Sequence, residues 1–261
     1  MLLVIDVGNT SVTLGVFEGE ALRATWRMAT AIHRMADEYG VLVLDLLRYQ
    51  GIDASSITGA ALCSVVPPLT ATFEQLIQRY FHVSPLVVAA GVKTGVRIRM
   101  DNPREVGADR IVNAAAAHHL YHGPVIIVDL GTATTFDTVS KEGDYIGGAI
   151  APGLVTATEA LYMRAAMLPR VELTRPKHAI GTNTITAMQS GIIFGYVGLI
   201  EGIAARIQNE LDEKALVVAT GGYAELIAKE TSVFDIVDPN LTLVGLRLIY
   251  DMNKTQPREE H

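Results

Sequence analysis

The sequence predicts an α/β fold of two similar lobes, each built on a mixed sheet, and three observations carry that prediction. The same order of elements, three strands followed by alternating helices and strands, occurs twice along the chain. Each copy opens with an apolar strand closed by Asp-x-Gly, at Asp6-Val7-Gly8 and at Asp129-Leu130-Gly131. The composition is that of a chain with a large core: 261 residues, 49% hydrophobic and 19% charged, where about 25% charged is usual. The expected lobes are residues 1–117 and 118–253. A polar tail at 254–261, containing Pro257, is expected to be mobile.

In the first copy, residues 2–5 form a short apolar strand. Residues 12–17 and 21–28 read as two further strands split by Glu18-Gly19-Glu20. A helix is expected at 34–49, with Met35, Leu42, Leu46 and Leu47 on one side. Residues 60–65 read as a strand, and Pro67-Pro68 opens a helix running to Phe81. Residues 85–89 are another strand. A helix at 103–121 joins the lobes. The second copy has strands at 125–128, 133–140 and 144–150, the last two split by Lys141-Glu142-Gly143. Helices follow at 154–167 and 184–211, then a strand at 215–219. Gly221-Gly222 opens a short helix, residues 234–237 form a strand, and a last helix covers 241–252.

Charge and cysteine content exclude several functions. Lys and Arg number 21 against 28 Asp and Glu, a net charge of −7. That is the wrong sign for a surface that neutralises nucleic-acid phosphates. Trp26 stands alone, so there is no aromatic platform for stacking bases. The one cysteine, Cys63, permits no internal disulfide and reads as a small core residue. Mean hydropathy is +0.29, but the longest apolar run, residues 191–200, is too short to cross about 30 Å of hydrocarbon. The first strand lacks a basic leader and stops at Asp6, unlike a signal peptide. The expectation is a cytoplasmic protein with no membrane and no nucleic-acid partner.

The two Asp-x-Gly turns carry the chemistry. Asp6-Val7-Gly8-Asn9-Thr10 and Asp129-Leu130-Gly131-Thr132-Ala133-Thr134 each place a carboxylate at the end of a central strand. Each follows it with a tight turn of backbone N–H groups and hydroxyls, which suits an anion. The carboxylate can hold a cation that contacts phosphate. One such turn is ordinary turn chemistry, and the repetition is what gives it weight. No two glycines are separated by a single residue, so Gly-x-Gly-x-x-Gly is absent, and no P-loop occurs.

A third constellation is Asn102-Pro103-Arg104-Glu105-Val106-Gly107-Ala108-Asp109-Arg110. Asn102 suits an N-cap, Pro103 the first helical position and Glu105 a capping box. Ala108, Ile111, Val112 and Ala115 form a buried stripe, with Asp109 and Asn113 on the next one. Gly107 costs about 1 kcal/mol inside a helix, so its presence points to close approach by a backbone or a ligand. Two readings stay open on these residues alone. One is a capped surface helix with a solvated Asp-Arg pair; the other makes Asp109 a general base and Arg110 an anion clamp.

Together these residues resemble the type III pantothenate kinase family. The resemblance extends to Thr135-Phe136-Asp137, Gly147-Gly148, Pro152-Gly153, Gly181-Thr182-Asn183-Thr184 and Thr220-Gly221-Gly222, in family order over nearly the whole chain. It implies the acetate- and sugar-kinase, Hsp70 and actin superfold, two ribonuclease-H-like lobes with a nucleotide cleft between them. It implies phosphoryl transfer from ATP to the primary hydroxyl of pantothenate, the first committed step towards coenzyme A.

By position, Asp6, Val7, Gly8, Asn9, Thr10, Ser11, Val12, Thr13 and Thr132 would hold the ATP phosphates. Asp6 would orient magnesium, and Gly221 and Gly222 would lie near the adenosine. Asp129 would bind a monovalent cation, potassium or ammonium. Gly107, Ala108, Asp109 and Arg110 would contact pantothenate, with Asp109 accepting the proton, and Thr184 would bind substrate. Met100 departs from the family, many members of which have a tyrosine there in contact with substrate. A homodimer with its sites near the interface is also implied.

Gly191, Gly195, Gly198 and Gly202 lie on one stripe of a long helix, which in a soluble chain allows close helix packing. This helix is the expected subunit contact. His118, His119 and His122 sit near a helix C-terminus, where such side chains are favoured without any metal. Two other functions keep the same fold: a kinase or phosphatase acting on another small molecule, and a non-catalytic accessory factor in transcription. The Gly107 to Arg110 segment argues against the first, and intact Asp6, Asp109 and Asp129 against the second.

Overall fold

The structure, a computed structural model, describes residues 1–254. Of the tail expected to be mobile, all but Lys254 lies outside the described residues. The chain forms two compact units. The first comprises Met1–Arg97, Asp101–Ala116 and the residues from Leu241 on; the second comprises Ile98–Met100 and Ala117–Asn240.

The first unit is built on β1 (Leu2–Val7), β2 (Ser11–Glu18), β3 (Ala21–Ala29), β4 (Gly59–Ser64) and β5 (Leu86–Val87), in the spatial order β3-β2-β1-β4-β5. β1 pairs antiparallel with β2 and parallel with β4. Its near-continuous apolar run is what a strand covered on both faces requires. Side chains alternate across it. Leu3, Ile5 and Val7, with Leu62 of β4, pack in one core with the helices α1 (Ala36–Tyr49) and α2 (Pro67–Phe81). Leu2 and Val4, with Ala61 and Cys63, pack on the opposite face with the helices α3 (Ala108–Tyr121) and α7 (Leu241–Asn253).

The second unit repeats this plan. Its strands are β7 (Val125–Leu130), β8 (Ala133–Val139), β9 (Asp144–Pro152), β10 (Leu216–Thr220) and β11 (Ile236–Val237), with β6 (Arg97–Ile98) at the edge. Their order β11-β10-β7-β8-β9-β6 contains the first sheet's order strand for strand. The register repeats as well. Asp6 faces Thr13 across the antiparallel pair, and Asp129 faces Thr135. A β-bulge falls between Val16 and Phe17 in one unit and between Thr138 and Val139, the equivalent positions, in the other. The helices α4 (Leu154–Arg164) and α5 (Thr184–Glu210) follow, with the short α6 (Ala224–Ala228) after β10.

Several expectations need correction. α1 buries Ala36, Tyr39, Gly40, Val43 and Leu47, while Met35 and Leu42 are exposed. Of the four residues expected on its inner face, Leu47 is buried and Leu46 half-buried, so the true stripe runs through Tyr39, Val43 and Leu47. The helix expected at 103–121 is broken: a 3-10 turn at Pro103–Glu105 precedes α3, with Val106 extended between them. Val106 is buried, and that anchors the break. No capping box forms at Asn102, because its side-chain amide donates to the Glu105 carboxylate at 2.6 Å instead of leaving it to the backbone. α4 stops at Arg164, short of 167. β6 was not foreseen.

The largest correction concerns α7. Residues 241–253 were expected in the second lobe, yet Leu243, Leu246 and Ile249 bury in the first unit beside Val4, Phe17 and Ala61. The first sheet needs cover for that face, and α7 supplies it with α3. Thr242 donates to the Asn113 side-chain oxygen at 2.7 Å. A Cβ at Gly245 would fall 2.3 Å from the Val112 carbonyl oxygen.

Backbone cannot yield as a side-chain end can, so Gly245→Ala is expected to cost about 1–3 kcal/mol. Urea unfolding followed by circular dichroism measures this; an unchanged midpoint would show that α7 is not packed on α3.

Candidate active site

Asp6 is the penultimate residue of β1, so its side chain falls on the face of Leu2 and Val4, the one that α3 and α7 cover. It is half-buried, at the edge of that cover. The turn beyond it is held from several sides. The Gly8 N–H donates to the Ser11 carbonyl at 3.0 Å, and the Thr30 N–H donates to the Thr10 carbonyl at 3.0 Å. The Thr30 hydroxyl donates to the Gly8 carbonyl at 2.7 Å. Asn9 and Thr10 are left exposed at the tip. The Arg27 Nε–H donates to the Ser11 hydroxyl at 2.8 Å. A cation therefore stands beside the anion-suited turn, contributed by β3.

Asp109 lies in the first turn of α3 and accepts a hydrogen bond from the Arg110 N–H at 2.8 Å. Gly107 is explained by Asp109: a Cβ there would meet the Asp109 Oδ1 at 2.6 Å. The close approach inferred from the sequence is thus made by the neighbouring carboxylate.

Cys63 ties these elements together. It is the parallel register partner of Asp6 and is fully buried under α3. Burial pushes its thiol well above the ordinary range, the charges of Asp6 and then Asp109 push it further, and its hydrogen bond to Asp6 adds to this. Both carboxylates therefore act on one buried group, Asp6 from the strand end and Asp109 from the helix start. Composition had marked Cys63 only as core. The β1–β4 register is what reveals its contact.

In the second unit Asp129 is again the penultimate residue of its strand and half-buried. Gly221 adopts φ +90°, and a Cβ on it would fall 2.4 Å from the Asp129 Oδ1. A side chain is thus excluded there by both backbone conformation and space. Thr132 is exposed, and its carbonyl accepts from the Gly153 N–H at 3.2 Å and from the Thr156 hydroxyl at 2.7 Å. Tyr196, on α5, was not singled out from sequence. Its hydroxyl bonds to the buried Thr134 hydroxyl. Burial raises its phenol, bonds from Thr134 and the Leu154 N–H oppose this, and the Asp129 charge adds to the rise.

Tyr196 also lines an apolar groove of about 900 Å³ between α4 and α5, together with Leu154, Leu161 and Leu199. Thr184 is here, at the start of α5, as are Gly181 and Asn183. Asn183 caps α5 by accepting from the Thr186 N–H at 2.9 Å. The glycine stripe is not close-packed within this chain. A Cβ at Gly191, Gly195 or Gly198 would meet nothing within 4 Å, and at Gly202 only the Arg206 side chain. The ten-residue apolar run belongs to a 27-residue helix that is long and apolar enough to cross a membrane. Its Ile193, Tyr196 and Ile200 are buried against the rest of the unit. Met100 packs beside Gly147, where a Cβ would lie 3.3 Å from its sulfur.

A magnesium ion bound with ATP keeps several waters and needs only one or two carboxylates beside the phosphates. A half-buried Asp6 at a strand end fits that demand. Among the described residues, no group of three or more His, Cys, Asp or Glu is placed to cage a metal.

A family model for type III pantothenate kinases matches residues 2–206. The type III pantothenate kinase of Dehalococcoides mccartyi strain CBDB1 is 60% identical over 253 residues, covering 97% of this chain and 96% of the relative. Among solved structures, a conserved Campylobacter jejuni protein described as a candidate Baf family transcriptional activator superposes with a TM-score of 0.62 at 18% identity, covering 96% of this chain and 98% of that one. An inorganic polyphosphate/ATP-glucomannokinase from Arthrobacter sp. strain KM superposes with a TM-score of 0.51 at 14% identity, covering 97% and 99%. At such identities the two structures speak for the fold alone, and that fold is the α/β architecture of sugar kinases. The family model and the 60%-identical relative carry more: this chain belongs to the type III pantothenate kinase family.

Proposed function

We propose that the chain transfers the γ-phosphoryl group of ATP to the primary hydroxyl of pantothenate in the cytoplasm, with Asp109 accepting the hydroxyl proton. The observation that carries this reading is the convergence of Asp6 and Asp109 on Cys63 within one unit. It supports an anion turn and a proton acceptor at one end of one sheet.

Phosphoryl transfer asks little covalent chemistry of the protein. It needs positioning, charge neutralisation and an acceptor for one proton. Gly107, Ala108 and Arg110 hold pantothenate so that its hydroxyl meets Asp109. As the hydroxyl oxygen bonds to the γ-phosphorus, its proton passes to the Asp109 carboxylate. The bond from phosphorus to the β-phosphate oxygen breaks, and ADP leaves. Residues Asp6 through Thr13 hold the phosphates by backbone N–H groups and hydroxyls. In the second unit Thr132 serves the phosphates, and Gly221 and Gly222 serve the adenosine. Magnesium, when bound, neutralises phosphate charge, and Asp6 is the side chain that would orient it. We assign Asp129 to the monovalent cation and Thr184 to the substrate.

The open glycine face of α5 supports a homodimer. A second copy of the chain is the occupant that the α4–α5 groove accepts, because helix backbones approach closely over glycine.

Asp109→Asn is expected to fold normally and to lose about 10²- to 10⁴-fold in kcat. Phosphopantothenate measured by mass spectrometry decides this, and near-normal turnover removes Asp109 from the reaction. Wild-type turnover is expected to be higher in potassium or ammonium than in sodium; equal rates would withdraw the role of Asp129. Gly195→Leu projects into open space within the chain, so it should leave the fold intact and shift sedimentation from dimer to monomer. A variant that sediments like the wild-type protein would place the subunit contact elsewhere.

A further inference from the structure

We propose that Cys63 is a positioning residue for the reaction: from the neighbouring parallel strand its thiol donates to the Asp6 carboxylate and fixes the carboxylate's rotation at the anion turn. The inference rests on the role given to Asp6 above.

The geometry comes from the sheet. Cys63 and Asp6 are register partners on β4 and β1, and they share the face that α3 covers. Cys63 is wholly buried, while Asp6 sits half-buried beside it. Asp6 lies on the sheet face whose core residues pack with α3 and α7, where hydrogen bonds to a carboxylate offset the cost of burying it. A thiol there supplies a donor in the volume of a small apolar side chain.

The duplicated plan gives independent support. In the second unit the parallel partner of Asp129 is Thr220, also buried, on β10. Each unit therefore places a side chain with a transferable hydrogen beside the strand-end aspartate. In a position where valine or alanine would satisfy the core, both units carry a donor. Ser64, the next residue on β4, bonds instead to Thr70 and Val66, so Cys63 is the β4 side chain that serves Asp6.

The chain has one cysteine, so the S–H stretching band in the infrared belongs to Cys63 alone and can be read without metal or substrate. The band is expected at the low frequency of a thiol that donates to a carboxylate, and Asp6→Ala should move it up. A band that stays in place overturns the hydrogen bond. For the positioning role, Cys63→Ala is expected to lower kcat about tenfold, with the pantothenate KM changed less than about twofold. Cys63→Ser, which restores a donor, should return kcat to within about threefold of the wild-type value. A Cys63→Ala enzyme with wild-type kcat, or a serine variant no better than alanine, overturns the role. If Cys63→Ala does not fold, the serine variant and the infrared band still decide the question. A wild-type protein that makes no phosphopantothenate, with its band shifted by Asp6→Ala, would overturn the reaction assignment and keep the hydrogen bond.

Discussion

In each sheet the central strand pairs antiparallel on one side and parallel on the other, and its penultimate residue is an aspartate. That placement solves a conflict. A carboxylate in the middle of such a strand would be stripped of water on both faces, at large cost. A carboxylate in the loop beyond would be solvated and free to turn. At the last position but one the backbone is still held by both neighbours, while the side chain reaches the rim of the core. Asp6 and Asp129 are accordingly half-buried. The antiparallel neighbour then continues from the turn proposed for the anion, and the parallel neighbour supplies a buried residue in register with the aspartate.

The space around these carboxylates is made by absent side chains. Gly107 leaves room for the Asp109 carboxylate, and Gly221 leaves room for Asp129 at a backbone angle few other residues adopt. Neither glycine serves flexibility. Each lets a charged oxygen come within a few ångströms of main chain, where oriented N–H dipoles act on it most strongly. The same logic holds structurally for Gly245, whose missing Cβ lets α7 close on α3. In this way the end of the chain comes to cover the face on which Asp6 lies.

Local patterns were legible where chemistry and structure agree along the chain. The Asp-x-Gly turns, the Pro67 start of α2 and the repeated strand order could all be read because each is set by neighbours in sequence. The partnership of Cys63 with Asp6 could not, since it depends on the register of strands far apart in the chain. The place of α7 was hidden for a similar reason. Its apolar stripe says that one face is buried, and either sheet could have provided the cover. The break at Val106 was masked by capping chemistry that looked sufficient. Asn102 and Glu105 satisfy each other side chain to side chain, so a short turn ends there and α3 begins afresh, with Asp109 in its first turn. That break benefits the site, because first-turn N–H groups favour a negative charge.

An acidic protein that handles ATP and an acidic substrate faces an adverse field, and a net charge of −7 gives no general attraction. With a Debye length near 8 Å in physiological salt, only charges close to the ligand matter. Two arginines of the first unit stand beside the residues assigned to the ligands. Arg110 follows Asp109 directly, and Arg27 reaches the anion turn through the Ser11 hydroxyl. Arg27 sits on β3, opposite Thr13, where strand alternation alone would mark it as an ordinary exposed residue. Its bond to Ser11 changes that reading. It orders the hydroxyl in the turn and sets a guanidinium beside the position assigned to the phosphates.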